Sequence, residues 1–299
     1  MKFKPLFYTN IIILSTIGLI INSCKKDDKI VNNQLPIINI EMVSIPANTF
    51  SMGSPITEDG RRTDETQHQV TLSSYKISKY EITNAQFAFF LNILKIDSNG
   101  IYADGINNAQ KLIFQSSSIY DWGLHYTGGQ WLPVKDYENY PVINVTWFGA
   151  AAFASYAGGR LPTEAEWECA CRATTTSIFN TGNCLCNSQS NYDWEYPLSS
   201  CNNTINIKPG KTLSVSSYSA NAFGLYNMHG NVFEWCSDWY SGDYTNSPQT
   251  NPIGSSTGVF RVFRGGSWET SASNCRSAYR SGSQPVNGTE IIGFRIVKQ

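Results

Sequence analysis

The sequence has little charge and no excess of either sign. Charged residues make up 15% of the 299 residues, and the formal net charge is -1 at pH 7. Proteins that bind nucleic acid neutralise phosphates with a surplus of Lys and Arg, so this balance excludes nucleic acid as an expected partner. Long amphipathic helices carry a charged outer face, and the low charge therefore disfavours an architecture of long helices.

A long apolar run is also missing. Crossing a bilayer takes about 20 apolar residues, whereas the apolar stretch Ile11–Ile21 is shorter and is interrupted by polar and small residues. Two lysines, Lys2 and Lys4, precede this stretch. A positive start, a short apolar core and small residues before a cleavage point are typical of a signal peptide, which we place at residues 1–23.

The end of this segment, Ile21-Asn22-Ser23-Cys24, resembles a lipobox, in which an aliphatic residue stands three positions before a cysteine that becomes lipidated. We therefore expect Cys24 to carry acyl chains that hold the protein on a membrane. Ordinary secretion with an unmodified cysteine is the alternative. The polar residues 24–38 are typical of a tether. The expected location is the bacterial cell envelope, where the chain is a membrane-anchored lipoprotein, either periplasmic or surface-exposed.

Seven cysteines follow Cys24. They are Cys169, Cys171, Cys184, Cys186, Cys201, Cys236 and Cys275. An exported protein meets an oxidising compartment, so disulfides are expected, and the odd number leaves at least one thiol free or bonded outside the chain. The two Cys-x-Cys pairs differ from the Cys-x2-Cys spacing of structural zinc sites, which favours disulfides over a metal. Cys184 and Cys201 bracket a loop and are one candidate pair.

Aromatic residues, glycine and proline are plentiful and indicate a turn-rich fold of short elements. Phe, Trp and Tyr make up 13% of the chain, which also contains 23 Gly and 12 Pro. From Ile38 to Gln299 the composition is that of one globular region, without a second linker or an internal repeat. Alternating apolar residues predict strands near 70–72 and 75–77, and further β-rich stretches lie at 258–264 and 293–297.

Threonines mark three helix starts. Thr83, Thr146 and Thr163 are the expected N-caps, and the second helix is expected to end at Gly158-Gly159. Glu166 follows Thr163 by three residues, which is the spacing of a capping box. Glu166 is therefore assigned a structural role rather than a catalytic one.

Six ordered motifs resemble the sulfatase-modifying, or formylglycine-generating, domain family. They occupy residues 42–53, 80–87, 141–168, 221–235, 264–268 and 293–295. The most distinctive are Gly159-Arg-Leu-Pro-Thr-Glu164, Gly230-Asn-Val-Phe-Glu-Trp235 and Arg264-Gly-Gly-Ser-Trp268. The resemblance covers residues 39–299 and implies an α+β fold with little regular secondary structure, related to the C-type-lectin-like fold. Within it, Gly265-Gly266 suggests unusual dihedrals, and Arg280 and Arg295 are expected to be buried pairing partners.

The resemblance also implies a chemistry. Active members of the family oxidise a sulfatase cysteine to formylglycine with oxygen and bind copper(I) through two cysteines, soft ligands that suit this ion. The positions three and eight residues after Ser267 carry these ligands, and here they are Thr270 and Cys275. Ser267 and Cys275 are thus the remaining candidate catalytic residues. Since the threonine hydroxyl is hard and neutral, and Phe233 stands where active members carry a tryptophan, the two-cysteine copper site is not expected.

Cys275 has a second interpretation under the same resemblance. Active members have a longer segment between this cysteine and the following Ala-x-Arg, so the shorter segment here could move Cys275 to the position of a structural cysteine. In the family that cysteine bridges to one matching Cys171. The resemblance therefore implies a Cys171–Cys275 disulfide as the alternative to a lone copper ligand.

A calcium site is also implied by the resemblance, in the turn that begins at Asn227. The ligands carried over are the Asn227 side chain, the backbone carbonyls of Gly230 and Val232, and the Glu234 carboxylate. Hard oxygen atoms are the ligands that calcium prefers. The alternative is a tight turn fixed by Asn and Gly alone.

Three classes of function stay open: an oxidase of protein cysteines, a non-catalytic binding or scaffold module, and a different enzyme that reuses the same pocket. The iron-dependent branch of the family is discarded because it needs clustered histidines, whereas this chain has only His68, His125 and His229. The missing copper cysteine favours the binding or scaffold module. Its expected partners are the membrane, through the lipid anchor, and an envelope protein or a sulfatase. The copper- and oxygen-dependent oxidase that makes formylglycine in a sulfatase is the alternative.

Overall fold

Three short helices begin at the threonines that the sequence marks. In the computed structural model, the helices are α1 (Asn84–Ile93), α2 (Trp147–Tyr156) and α3 (Glu164–Arg172), with N-caps Thr83, Thr146 and Thr163. In α1 and α3 the third helical residue, Gln86 or Glu166, bonds back to the cap, so both starts are capping boxes. After α2, Gly158 takes φ +73, which glycine adopts without strain. The predicted helix starts are confirmed.

The structure describes residues 36–103, 109–201, 208–242 and 244–299. The predicted signal peptide, Cys24 and most of the tether lie outside these residues and stay predictions. Ile37–Gln299 form one compact unit. Within the described part of the chain, no helix has both the length and the apolar character that crossing a bilayer requires.

Short strands account for the rest of the regular structure. Those in the described residues are β1 (Met42–Ile45), β2 (Asn48–Met52), β3 (His68–Leu72), β4 (Tyr75–Ser78), β5 (Ile101–Tyr102), β6 (Gln110–Lys111), β7 (Leu124–Thr127), β8 (Gln130–Pro133), β9 (Phe233–Trp239), β10 (Gln249–Thr250), β11 (Arg261–Arg264), β12 (Arg280–Ser283), β13 (Ile292–Gly293) and β14 (Val297–Lys298). The predicted strands near residues 70 and 75 are confirmed as β3 and β4.

These strands form small sheets. The strand orders are β1-β4-β14, β10-β3-β2 and β12-β11-β9-β13, and β5-β6 and β7-β8 are separate pairs. In the four-stranded sheet, β9 runs antiparallel to β11 and parallel to β13. Short helices combined with small mixed sheets confirm the α+β class with little regular secondary structure.

Two predicted β-rich stretches are strand only in part. In 258–264 the strand covers Arg261–Arg264, and in 293–297 only the first and last residues pair in strands. The backbone between them bonds to the end of β4 and to the segment after it: Ser78 N donates to Ile296 O at 2.8 Å, and Ile82 N donates to Phe294 O at 2.9 Å. An apolar run therefore marks buried backbone here, not a continuous strand.

Aromatic rings fill the core between α1 and α2. The rings of Phe87, Phe90, Phe153 and Phe294 are buried and have centroids 5.4 to 5.9 Å apart. Such contacts, several of them edge-to-face, add to the free energy gained by area burial. A second apolar cluster surrounds α3 and includes Trp167.

Every residue of α3 is buried, including its charged residues. Buried charges need compensating partners. Glu164 pairs with Arg264 and Arg280, and Glu168 pairs with Arg172 and Arg264, at distances of 2.5 to 2.9 Å. These pairs fix α3 against β11 and β12 and so position the loop between those two strands. The predicted pairing role of Arg280 is confirmed.

Candidate functional site

The loop from Gly265 to Tyr279 joins β11 to β12 and contains the candidate catalytic residues. Gly265 and Gly266 take φ +101 and +78. A Cβ on Gly266 would lie 2.3 Å from Cys275 Sγ and 2.9 Å from Cys275 Cα. The two arms of the loop therefore meet at Gly266 and Cys275, where only glycine fits. The unusual dihedrals predicted for the glycine pair are confirmed.

Thr270 closes the first turn of this loop. Its Oγ1 accepts a hydrogen bond from Ser267 N at 2.9 Å and donates one to the Ser267 carbonyl at 3.2 Å. Its backbone N–H donates to the same carbonyl at 3.1 Å. Ser267 itself is fully buried. The Thr270 hydroxyl is therefore committed to the local backbone, and the Ser267 hydroxyl is enclosed by its own turn.

Cys275 ends the short 3-10 turn Ala272–Cys275 and is fully buried. Burial raises the pKa of its thiol to about 12, and a hydrogen bond with Thr270 opposes this rise in part. Since the thiolate is the form that binds metals and attacks electrophiles, burial disfavours the reactive form of Cys275. Thr270 and Cys275 are neighbours, as the family's ligand positions imply, but they offer one thiol and one hydroxyl. The pair does not fit copper(I), which needs two soft ligands.

The expected Cys171–Cys275 disulfide is wrong. Both cysteines are free thiols. Cys171 Sγ lies 3.6 Å from the Met228 carbonyl and 3.8 Å from Ser277 Oγ, whereas the Cys275 thiol lies near Thr270. The two sulfur atoms are not bonded to each other, and the shortened segment after Cys275 does not produce a disulfide.

His229 lies against both of these cysteines. Its Nδ1 is 2.7 Å from the Cys275 carbonyl, and its Nε2 accepts a hydrogen bond from Asn180 N at 3.0 Å. Because a carbonyl can only accept, Nδ1 carries the proton. Burial lowers the pKa of His229 to about 4. The ring is therefore a neutral connector between backbone segments and not a proton donor or acceptor for chemistry at neutral pH.

The structure contains a disulfide between Cys184 and Cys201, whose Cα atoms are 5.7 Å apart. This is the pair that brackets a loop in the sequence. Cys169 and Cys236 are buried free thiols, and Cys186 is free and half-buried. The expectation that disulfides engage both Cys-x-Cys pairs is therefore wrong for three of these four cysteines. Buried thiols pack here as small apolar groups.

The turn that carries the first predicted calcium ligands is built from buried polar groups. Asn227 Nδ2 donates to the Glu81 carboxylate at 3.0 Å, and Asn231 Nδ2 donates to it at 2.8 Å. Burial raises the pKa of Glu81 to about 7. The Asn227 Oδ1 atom is buried without a hydrogen-bond partner among the described residues, as a ligand oxygen would be. Gly230 takes φ +78, and Val232 is buried just before β9.

Glu234 is the member of the calcium set that does not fit. Its carboxylate accepts bonds of 2.6 and 2.7 Å from Arg295 and one of 2.6 Å from Trp167 Nε1. A carboxylate neutralised in this way has little charge left for a cation, so the four residues do not fit calcium as arranged. Across the described ranges, no cluster of three or more His, Cys, Asp or Glu is placed to hold a metal ion. The implied calcium site is untested, and the pairing of Glu234 with Arg295 argues against it.

Phe233 lies in the core beneath the loop. Its ring centroid is 4.7 Å from that of Phe263 and 6.2 Å from that of Tyr279, and the side chain is buried. It adds no polar group to the region around Ser267.

An aromatic cluster that sequence reasoning missed lies beside the Ser267–Thr270 turn. Trp268 packs edge-on against Trp122, with centroids 5.6 Å apart, and lies 6.0 Å from the ring of Tyr120. Trp268 Nε1 donates to the Glu290 carbonyl at 3.2 Å. Tyr120 and Trp122 come from a segment without helix or strand, so periodicity gives no sign of them. The only signal is the density of aromatic residues in 120–126.

Arg276 anchors the far end of the loop. It donates to Glu65 at 2.6 and 2.8 Å and to Glu58 at 2.7 Å. Arg276 and Glu65 are fully buried, and they are 211 positions apart. Because Arg276 follows Cys275 directly, this ion pair fixes the position of the thiol. Sequence reasoning did not find it.

The family model described as sulfatase-modifying factor enzyme 1-like domain matches residues 31–299. The formylglycine-generating enzyme of Mus musculus is 32% identical over 286 residues, which cover 87% of this chain and 75% of that protein. The serine/threonine-protein kinase pkn1 of Chlamydia caviae is 35% identical over 262 residues, or 86% of this chain. The chain spans only 38% of that kinase.

Among solved structures, PvdO from Pseudomonas aeruginosa has a similar fold. The TM-score is 0.64 at 26% identity, and the alignment covers 86% of this chain and 94% of PvdO. Its fold therefore corresponds to nearly the whole compact unit described above.

Proposed function

This chain belongs to the sulfatase-modifying factor enzyme 1-like domain family, and from that premise we propose that it is a non-catalytic binding or scaffold module held on a bacterial membrane by a lipid on Cys24. The family resemblance inferred from the six motifs is confirmed. Family membership fixes the fold, whereas activity depends on the groups in the site.

One observation carries the proposal: the residue beside Cys275 is Thr270. The Thr270 hydroxyl is bonded on both its donor and acceptor sides to Ser267, and the Cys275 thiol is buried with a raised pKa. A copper(I) centre with two thiolates cannot form from these groups. Gly266 and Arg276 hold the loop in place, so this largely buried loop is kept without the metal-binding pair.

Support for the anchor comes from the chain ahead of the domain. The lipobox-like sequence ends at Cys24, and the polar tether leads to Ile38, which packs into the core cluster of α1 and α2. The polar residues 24–38 would thus connect a lipid on Cys24 to the domain. A lipid with two or more acyl chains gives stable membrane attachment.

Tyr120 is the member of the aromatic cluster that a protein partner would reach, because it is half-buried whereas Trp122 and Trp268 are buried beneath it. Interfaces are enriched in Tyr and Trp, whose rings bury much area at low cost in side-chain entropy. Glu269 is exposed beside the cluster, and partial desolvation, together with the nearby Glu290 and Asp193, raises its pKa. We infer that the partner is an envelope protein or a sulfatase that docks here without being modified.

The second candidate is the oxidase that converts a sulfatase cysteine to formylglycine. Its support is the 32% identity to the mouse formylglycine-generating enzyme over most of both chains. Thr270 argues against it for the reason given above.

The test compares the wild type with Thr270→Cys and Thr270→Ser in copper(I) competition against a chromogenic chelator. We expect the wild type and Thr270→Ser to leave copper with the chelator. Thr270→Cys should take it up, because the new thiol stands beside Cys275. A sulfatase-type cysteine peptide is then incubated with each protein, copper and oxygen and examined by mass spectrometry.

We expect no aldehyde product with the wild type. Copper-dependent conversion of the peptide by the wild type would overturn the proposal and establish the oxidase. Equal copper uptake by the wild type and Thr270→Cys would show that Thr270 does not decide metal binding.

A further inference from the structure

A pocket of about 280 Å³ opens between β3, the first turn of α3, the end of β9 and the segment 249–255. Its polar lining includes His68, Asp238, Gln249 and Arg280. None of the residues discussed above for copper or calcium lines it. The pocket is therefore separate from the candidate copper and calcium residues.

Asp238 places a carboxylate in the pocket although the residue is only 5% exposed. Its Oδ2 atom accepts from Glu164 N at 2.9 Å and from Ser237 Oγ at 3.0 Å. Its Oδ1 atom has no hydrogen-bond partner within the described ranges. Gly254 passes over this atom, and a Cβ there would lie 2.8 Å from Oδ1. Glycine at 254 thus leaves the second carboxylate oxygen open.

Two further acceptors line the same pocket. His68 Nδ1 lies 3.0 Å from the Thr66 carbonyl, so Nδ1 carries the proton and Nε2 of the neutral ring is an acceptor. Gln249 Nε2 donates to Thr245 Oγ1 at 2.9 Å, which leaves Gln249 Oε1 as an acceptor. Neither acceptor has a partner among the described residues.

The strong donors of the lining are already used. Arg280 donates to both oxygens of Glu164 at 2.8 and 2.7 Å, and to backbone carbonyls of Ser241 and Gly242 at 3.0 and 3.2 Å. The Tyr244 hydroxyl is hydrogen-bonded to Glu164. The pocket therefore offers a carboxylate and neutral acceptors, while the Arg280 guanidinium and the Tyr244 hydroxyl are occupied.

We propose that this pocket binds a primary ammonium group on an alkyl stem, either a lysine side chain or a free alkylamine. An ammonium group has three donors and no acceptor, which matches Asp238, His68 and Gln249. The apolar groups of Met52, Ala165 and Pro252 in the lining suit the stem. The proposal is independent of the function proposed above, since that function rests on Thr270.

The charges around Asp238 set how binding depends on pH. Burial and the neighbouring Glu164 and Glu166 raise the pKa of Asp238 to about 7. The other titratable or charged groups that face it or share its pocket are Cys236, Arg160, His68, Tyr244 and Arg280. A bound ammonium favours the ionised carboxylate. Affinity should therefore rise with pH through about 7 and fall again when the amine loses its proton, near pH ~10.

The experiment is isothermal titration calorimetry of the full chain in detergent, with n-butylamine in one arm and Nα-acetyl-lysine methylamide in the other. Asp238→Asn keeps an acceptor for Glu164 N but turns an amide N–H₂ toward the pocket. It should weaken binding of the ammonium ligand at least tenfold. Gln249→Glu adds a carboxylate and should tighten binding. Asp136→Asn removes an exposed charge outside the pocket and should change nothing.

The two arms distinguish the source of the ammonium: binding of both probes supports a lysine side chain, and binding of butylamine alone supports a free amine. n-Butyltrimethylammonium has the charge but no N–H donor and should not bind. Three outcomes would each overturn the proposal. The quaternary ammonium binds with the same affinity as the amine, potassium or sodium displaces the amine at matched concentration, or Asp238→Asn leaves the affinity for the amine unchanged.

Discussion

Replacing Gly266 by Ala tests how the two arms of the candidate loop are held together. Gly266 takes φ +78, and an L-residue in that conformation costs about 1–2 kcal/mol. The new Cβ would also lie 2.3 Å from Cys275 Sγ and 3.1 Å from the Asn274 carbonyl. Overpacking of this kind costs about 1–3 kcal/mol. The variant should therefore lose about 2–5 kcal/mol of unfolding free energy.

Two companion variants separate these contributions. Gly128 takes φ +59, and a Cβ there meets nothing within 4 Å, so Gly128→Ala carries the backbone strain alone and should cost about 1–2 kcal/mol. Cys275→Ala removes the sulfur from the crowded contact. In that background the cost of Gly266→Ala should fall by about 1 kcal/mol, a coupling typical of residues in contact.

The assay is equilibrium unfolding in urea followed by tryptophan fluorescence, with the four proteins of the double-mutant cycle and Gly128→Ala measured together. If Gly266→Ala and Gly128→Ala cost the same, the close approach of Gly266 to Cys275 does not exist. If the cost of Gly266→Ala is unchanged in the Cys275→Ala background, the sulfur is not the obstructing atom.

Three further predictions concern two buried carboxylates, Glu234 and Asp238, and the expected lipid-carrying residue Cys24. Glu234→Gln should lower the unfolding free energy by about 3–5 kcal/mol, because Arg295 loses its counter-charge. Thermal melts should show the same loss of stability in calcium and in chelator. If calcium stabilises the wild type but not the variant, the calcium site is established instead. Burial raises the pKa of Asp238 to about 7, so the folded state holds this proton more tightly than the unfolded chain does. The resulting stabilisation is complete below about pH 4 and is lost as the pH rises through about 7. Asp238→Asn should remove that part of the slope in urea unfolding measured across this range, and identical slopes would contradict the assignment. Cys24→Ser should release the protein from membranes on fractionation, and a mature N-terminus that lies elsewhere and carries no lipid, as read by mass spectrometry, would contradict the anchor.

The helix starts could be predicted from the sequence because capping is local. Thr83 and Thr163 bond to groups three residues away, so the pattern and the contact occupy the same short segment. The ordered motifs predict the fold class because their glycines and arginines have defined structural roles, such as the close approach of the loop at Gly266. These features do not depend on how distant segments are arranged.

The site could be predicted only in part, because its decisive contacts are long-range. The pair Glu65–Arg276 joins residues 211 positions apart, and no local pattern signals which carboxylate meets which guanidinium. Motif positions brought Thr270 and Cys275 together correctly. They could not tell that Cys171 would find its own hydrogen-bond partners, since a disulfide requires two Cβ atoms within a narrow range of distance and direction.

The burial of α3 has a consequence for the order of events during synthesis. Glu164 precedes its partner Arg264 by 100 residues and Arg280 by 116. At about 5–20 residues per second, its carboxylate waits on the order of 5–20 s before Arg264, the first of these arginines, has been made. Enclosing α3 earlier would leave unpaired charges away from water. We therefore expect this helix to stay hydrated in the nascent chain until Arg280 has been made.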